Sequence, residues 1–390
     1  MNQQTINQQA LHQISGEEKK DLLSLVTAHR RALHQIPELA LSLPKTQQYI
    51  RKVLSVYPCR ILTPIPSSIA AFFDNHKPDT IAFRADMDAL PVTEESGVSF
   101  ASRHPGCMHA CGHDGHMAML LGFAEVLSKY YQTLPHNVLL IFQPGEENPG
   151  GAELICQSGL LKECRVRHIF GFHLWPLLPA GTVATRKNEL MARSSEVNID
   201  IDGKSAHAAK YKDGIDALET GARFLLDAYA LEQSLPENVF RLLRFGRMES
   251  GTIRNVVSSH TRLEGTLRAF QDEAYDCLSQ GLLDIAGRYE RETGAKFRIH
   301  YSTGYPAVLN DAALVEKAQA VLPELVLLQK PEMISEDFSQ YQKQVPGVFF
   351  FLGTGTGIPL HAANFDFQEE ILLRGIESDV ALSFIPAAQK

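Results

Sequence analysis

The sequence predicts an α/β protein in which a largely parallel sheet covered by helices is interrupted by a smaller α+β domain. Three observations carry that expectation. Short apolar runs alternate with helical periodicity between residues 80 and 172, polar–apolar alternation takes over near residue 192, and the first texture returns after residue 302. At 390 residues the chain exceeds one ordinary core, so two domains are expected. We place the larger one in two parts, 1–191 and 303–390, with 192–302 inserted between them.

Taken in order, Lys19 to Val56 has helical spacing (Leu22, Leu23, Leu25, Val26, His29, Leu33), broken at Ile36-Pro37 and then resumed. Thr80–Arg84 is predicted as a strand, and His116–Tyr130 as a helix with Asp114 as its N-cap. A buried strand at Asn137–Phe142, a helix at Gly151–Leu161 and a strand at His168–Phe172 follow. In the insert, Val197, Ile199 and Ile201 alternate with polar residues, the mark of a half-exposed antiparallel strand. A helix at Ile215–Leu231, strands at Thr252–Ser258 and Leu263–Phe270, a helix at Glu273–Thr293 and a strand at Lys296–Tyr301 complete the order β-α-β-β-α-β, expected to be ferredoxin-like. Helices at Ala312–Val321 and Glu336–Gln342, a buried strand at Val348–Leu352 and a final helix at Gln368–Phe384 close the chain.

Composition bounds the function. A net charge of −8 and a pI near 6.0 give no basic footprint, which argues against nucleic acid as a partner. No apolar run reaches the length of a membrane span, and the first ten residues lack a basic-then-apolar leader pattern. The Gln-rich first dozen residues are expected to fray. Six cysteines, at 59, 107, 111, 156, 164 and 277, follow no disulfide framework and are read as reduced thiols of a cytoplasmic protein.

The chemistry concentrates in Met108-His-Ala-Cys-Gly-His-Asp-Gly-His116, where Cys111, His113 and Asp114 sit between two flanking histidines, with glycines that permit tight turns. Thiolate, imidazole and carboxylate are ligands of borderline transition metals. In open α/β sheets, sites gather at the carboxyl ends of the strands. Asp86 and Asp88, Glu146 and Glu147, and His173 stand just past three of the expected ends. A buried strand running into two adjacent glutamates points like charges at one place, which a cation would compensate. His361, in Pro359-Leu-His-Ala-Ala-Asn-Phe-Asp366, follows a glycine-rich turn. Cys111, His113, Glu147, His173 and His361 exceed what one tetrahedral ion needs, so two bridged ions are expected, with Glu146 spare.

Several segments carry a wider resemblance: Arg84-Ala-Asp-Met-Asp-Ala-Leu-Pro91, Met108-His-Ala-Cys-Gly-His-Asp114, Phe142-Gln-Pro-Gly-Glu-Glu147, Gly171-Phe-His-Leu-Trp-Pro176 and Ser335-Glu-Asp-Phe-Ser339. Together, from about Arg30 to Ile385, they resemble the aminoacylase/carboxypeptidase superfamily of metallo-amidohydrolases. The branch is that of auxin-conjugate hydrolases, hippurate hydrolases and N-acetyldiaminopimelate deacetylases. The resemblance implies a di-metal catalytic domain with Cys111 bridging, His113 and His173 on one ion, and Glu147 and His361 on the other. It further implies Glu146 as general acid/base and Asp88 holding a ligand from behind. In the insert, Gly203-Lys-Ser-Ala-His-Ala-Ala209 resembles a lid motif whose His207 stabilises an oxyanion. Gly251-Thr-Ile-Arg-Asn-Val-Val257 and Glu264-Gly-Thr-Leu-Arg268 resemble segments whose Asn255 and Arg268 reach the substrate; Met248-Glu-Ser-Gly251 departs from the more usual glycine pair. The implied activity is hydrolysis of N-acyl amino acids or amino-acid conjugates by a homodimer joined through the inserted lid. Zinc or manganese is the expected metal, with cobalt or nickel also suited to these ligands. The alternatives are an N-acetyldiaminopimelate deacetylase and a non-catalytic metal- or ligand-binding relative, against which Glu146 speaks.

Overall fold

The computed structural model describes residues 16–387. The Gln-rich start lies outside the described residues. The chain clusters into two compact units: one runs to Leu190, resumes over Leu309–Lys330 and again from Asp337, and the other holds Met191–Val308 and Pro331–Glu336. The second unit thus runs past residue 302 to 308 and also takes a short segment ahead of Asp337.

The first unit opens with helices α1 (Gly16–His34) and α2 (Pro44–Leu54), then strands β1 (Arg60–Leu62), β2 (Ile69–Phe73) and β3 (Thr80–Asp86). Helix α3 (His113–Ser128) precedes β4 (Asn137–Gln143), the short helices α4 (Gly151–Gln157) and α5 (Leu160–Glu163), β5 (Val166–Trp175) and β6 (Val183–Thr185). Two expectations change here. The helix expected over 151–161 is broken at Ser158-Gly159, where Gly159 has φ 85°. Helix α3 is entered through Gly112 at φ 82° instead of being capped by Asp114. The Asp114 carboxylate is turned inward, where it accepts from His34 Nδ1 at 2.8 Å and Arg30 Nε at 3.3 Å.

The second unit has β7 (Arg193–Asp202), α6 (Ala217–Ser234), β8 (Arg241–Ser250), β9 (His260–Ala269), α7 (Asp272–Thr293) and β10 (Lys296–Tyr301). Its antiparallel sheet has the order β10-β7-β9-β8, the βαββαβ arrangement expected. The segment expected as a strand at 252–258 is instead an irregular turn, exposed over 252–256 and buried at Val257 and Ser258, and the strand lies ahead of it at Arg241–Ser250. That strand is an edge, half-exposed and rich in arginine, so it lacks the apolar alternation that marks a covered strand. Val197, Ile199, Ile201, Phe224, Leu243, Leu263, Leu278 and Leu282 belong to a core of the unit's own.

On return to the first unit come α8 (Ala312–Val321), β11 (Val326–Leu327), α9 (Ser339–Gln342), β12 (Gly347–Gly353) and α10 (Ile371–Leu382). The large sheet has the order β1-β2-β4-β3-β5-β12-β6-β11. Its centre, β4-β3-β5-β12, is parallel, while β1, β2 and β6 join antiparallel. Every residue of β3, β4 and β12 is buried, as expected of strands covered on both faces. Pairing with β12 carries β5 as far as Trp175, so His173 lies inside the strand and not past its end.

Arg30 of α1 links this core to the ligand loop. It is 1% exposed, pairs with Asp114 and Asp366, and donates to the Phe367 carbonyl at 2.8 Å. Its guanidinium also lies 3.7 Å from the centre of the Phe367 ring. Removing one partner of a buried ion pair strands the other, at a cost of about 3–5 kcal/mol. Arg30→Met should therefore lower stability by about 3 kcal/mol or more in a denaturant titration. An unchanged midpoint would show that Asp114 is satisfied without it.

Candidate metal centre

Strands β3 and β4 run parallel in register from Thr80↔Asn137 to Asp86↔Gln143, so both deliver their carboxyl ends to one place. The turn after β4 holds Glu146 and Glu147, whose backbone N–H groups donate to Asp88 Oδ1 at 2.9 Å and Oδ2 at 3.1 Å. One carboxylate thus fixes the turn that bears the other two. At position 151 a side chain cannot fit: a Cβ there would stand 1.7 Å from the Pro144 carbonyl oxygen. Behind the turn, Arg84 bonds Gln143 Oε1 (2.8 Å), Asp86 Oδ2 (2.7 Å) and Asp337 Oδ1 (2.8 Å). Asp337 also accepts from the Gln143 amide and the Ala152 N–H, tying both ends of the glutamate turn.

The ligand loop closes over these strand ends. His113 donates Nδ1–H to the Asp88 carbonyl at 2.7 Å. Its Nε2 is buried and has no hydrogen-bond partner among the described residues. His173 donates Nδ1–H to the Leu174 carbonyl at 2.7 Å, and its Nε2 lies 3.4 Å from Cys111 Sγ. His361 adopts φ 66°, its N–H donates to the Ala110 carbonyl at 2.9 Å, and its Nε2 lies 3.2 Å from Glu147 Oε1. Two sets of donor atoms, each within 4.8 Å, result: Cys111 with His113 and His173, and Cys111 with Glu147 and His361. The thiol belongs to both. The Glu146 carboxylate falls within the same distance of His113 and Glu147.

The electrostatics match this donor set. Burial pushes the Cys111 thiol well above its usual value, and Glu147, Glu146 and Asp86 push it further. Burial raises Asp88 to about 6 against the pull of His113. Burial opposes charge on His113, but Asp86 and Asp88 outweigh it and raise its pKa. Burial and the neighbouring His116 lower His173 to about 3. Carboxylates crowded around a thiol that burial keeps protonated form a cluster short of positive charge, and an orphaned His113 nitrogen aims into it. Sulfur, nitrogen and oxygen donors in this arrangement fit divalent transition ions.

The remaining expected residues lie in the second unit. His207 is exposed, and its Nδ1 accepts from the Ala209 N–H at 3.1 Å. Asn255 is also exposed and lies beside His207 through the Ala208 N–H, which its carbonyl accepts at 3.0 Å. Arg268 is half-buried, donating to the Met333 carbonyl and to Thr266 Oγ1 (3.3 Å). Sequence reasoning gave no role to Arg84, Asp337 or His116. Arg84 was detectable as the one charge inside the apolar run Thr80-Ile-Ala-Phe-Arg-Ala85.

The sequence profile of peptidase family M20/M25/M40 matches residues 82–382. An N-acetyldiaminopimelate deacetylase of Lacticaseibacillus casei is 35% identical over 375 residues, covering 92% of this chain and 96% of that protein. Another, of Shouchella clausii, is 36% identical over 359 residues, covering 90% and 96%. Among solved structures, a dinuclear metal-binding peptidase of the M20 family from Bacillus subtilis superposes with a TM-score of 0.83 at 30% identity, covering 94% of this chain and 98% of that one. With the profile spanning most of the chain and the donor clusters standing at its sheet ends, this chain belongs to peptidase family M20/M25/M40 and is a metal-dependent hydrolase of linear amide bonds.

Proposed function

We propose that the enzyme cleaves N-acyl amino acids into a carboxylate and a free amino acid at a dinuclear centre. Cys111, His113 and His173 would hold one divalent ion, and Cys111, Glu147 and His361 the other. The observation that carries this reading is the pair of donor groups sharing one thiol, with Glu146 beside both. Divalent ions bound there would polarise the amide carbonyl and acidify a water. Glu146 takes the proton from the attacking water and hands it to the leaving nitrogen. Asp88 separates the tasks of the two glutamates by gripping their adjacent backbone N–H groups, which fixes where each side chain leaves the turn. Zinc or manganese suits the mixed donors best, and cobalt or nickel would also be held.

A second reading narrows the substrate to N-acetyldiaminopimelate, and the similarity to two deacetylases of that name favours it. His207 as donor to the developing oxyanion, Asn255 and Arg268 as residues that reach the substrate, and pairing of two copies through the second unit rest on the sequence resemblance; a guanidinium at 268 would suit a substrate carboxylate. An exposed apolar stripe on α6, with Leu218 and Leu226, supports the pairing.

Three outcomes test the proposal. Glu146→Gln should cut kcat by about 100-fold or more while metal content stays unchanged; normal turnover at full occupancy would remove Glu146 from its role. Across a panel of N-acetyl, N-benzoyl and longer N-acyl amino acids that includes N-acetyldiaminopimelate, the best kcat/KM should fall on an N-acyl amino acid. A clear preference for N-acetyldiaminopimelate selects the narrower reading, and no turnover on any member defeats both. Because the Cys111 thiol is pushed up, it holds its proton at neutral pH, and metal uptake must expel it. Calorimetry in buffers of different ionisation enthalpy should show that proton release at pH 7, with affinity rising as pH rises. Cys111→Ala should lose both the proton and most of the affinity.

A further inference from the structure

Resting on the dinuclear reading above, we propose that His116, anchored by Asp86, is a positioning residue that fixes His113 and His173. It thereby sets the cation affinity of the half-site they form with Cys111.

The reason lies in an uneven sheet edge. Strand β5 pairs with β3 only as far as Arg84↔Gly171, while on its other side β12 follows it to Gly353↔Trp175. The last residues of β5 therefore overhang β3. A buried backbone N–H on that overhang needs an acceptor. His116 Nε2 supplies it, accepting from the Leu174 N–H at 2.9 Å. The carbonyl of the same Leu174 receives Nδ1–H of His173. His116 thus holds the residue that orients the ligand, and its ring also abuts that ligand edge-on, with centroids 4.6 Å apart. On its other side it lies 5.4 Å from the His113 ring, three residues away on the same face of α3.

His116 is not itself available as a ligand. Its Nδ1 donates to Asp86 Oδ1 at 2.6 Å, so both ring nitrogens are engaged. Asp86 Oδ2 is taken by Arg84 and stands 3.8 Å from His113 Nε2, too far for a hydrogen bond. The grouping of Asp86, His113 and His116 within 4.8 Å is accordingly a support and not a further cation site. Asp86 is fully buried, so the anchor is rigid.

Loss of an outer partner of a ligand costs about 10–100-fold in metal affinity. The test titrates metal-stripped protein with cobalt chloride against a chromogenic chelator. The unaltered enzyme should take up two equivalents. His116→Ala should keep one equivalent at unaltered affinity and weaken the other by about 10–100-fold, with kcat restored by excess cobalt. His116→Gln, whose amide oxygen can still accept from Leu174, should lie between them. Two unweakened equivalents in His116→Ala would overturn the inference and leave the dinuclear reading intact. Fewer than two equivalents in the unaltered enzyme would defeat both. If His116→Ala does not fold, Asp86→Asn replaces it, since that change keeps volume and removes the anchoring charge. Loss of one tight equivalent there supports the inference, and unchanged binding overturns it.

Discussion

Asp86, Asp88, Glu146 and Glu147 reach one end of the large sheet because β3 and β4 are parallel, in register and equally long. Arg84, the cation built into this layer, divides its guanidinium between Asp86 and Asp337. A low-dielectric site with this sign imbalance is costly unless further positive charge arrives. Burial and the surrounding carboxylates push the Cys111 thiol well up, and divalent ions would replace its proton.

Around that imbalance, much of the orienting work falls to backbone groups. His113 and His173 each give Nδ1–H to a main-chain carbonyl, leaving Nε2 for the centre. Asp88 grips two main-chain N–H groups, and Asp337 grips a third at Ala152. Backbone at the end of a buried strand moves little, so it transfers the sheet's stiffness to the side chains that matter. The close fit at Gly151, and the entry to α3 through Gly112, keep the two loops near enough for those bonds to form.

Much of this was legible in the sequence, for identifiable reasons. Covered strands such as Val348–Leu352 announce themselves by continuous apolar runs, and the β-α-β-β-α-β order survived even where one strand was misplaced. That strand, Arg241–Ser250, is an edge whose arginines and half-exposure erase the usual signal. The candidate donors could be picked out because thiol, imidazole and carboxylate cluster in short segments at or near strand ends, although His173 lies inside β5 and not past it. The supporting bonds could not, since they join residues remote in sequence: Arg84 with Asp337, or Leu174 with His116. Asp114 shows the same limit. Local rules made it a helix cap, whereas a long-range pairing with Arg30 and His34 claimed its carboxylate.

The two donor groups that share Cys111 differ in their access to water. Cys111, His113 and His173 are buried, whereas His361 sits on a loop with its side chain 54% exposed and Glu147 is 18% exposed. Bulk solvent and small chelators meet the Glu147–His361 side first. Ions held at these donors as proposed would exchange in sequence, the one on the Glu147–His361 side ahead of the one on the His113–His173 side. Under limiting metal, such an unequal pair would be met partly loaded more often than empty, the buried donors keeping their ion after the exposed ones had lost theirs.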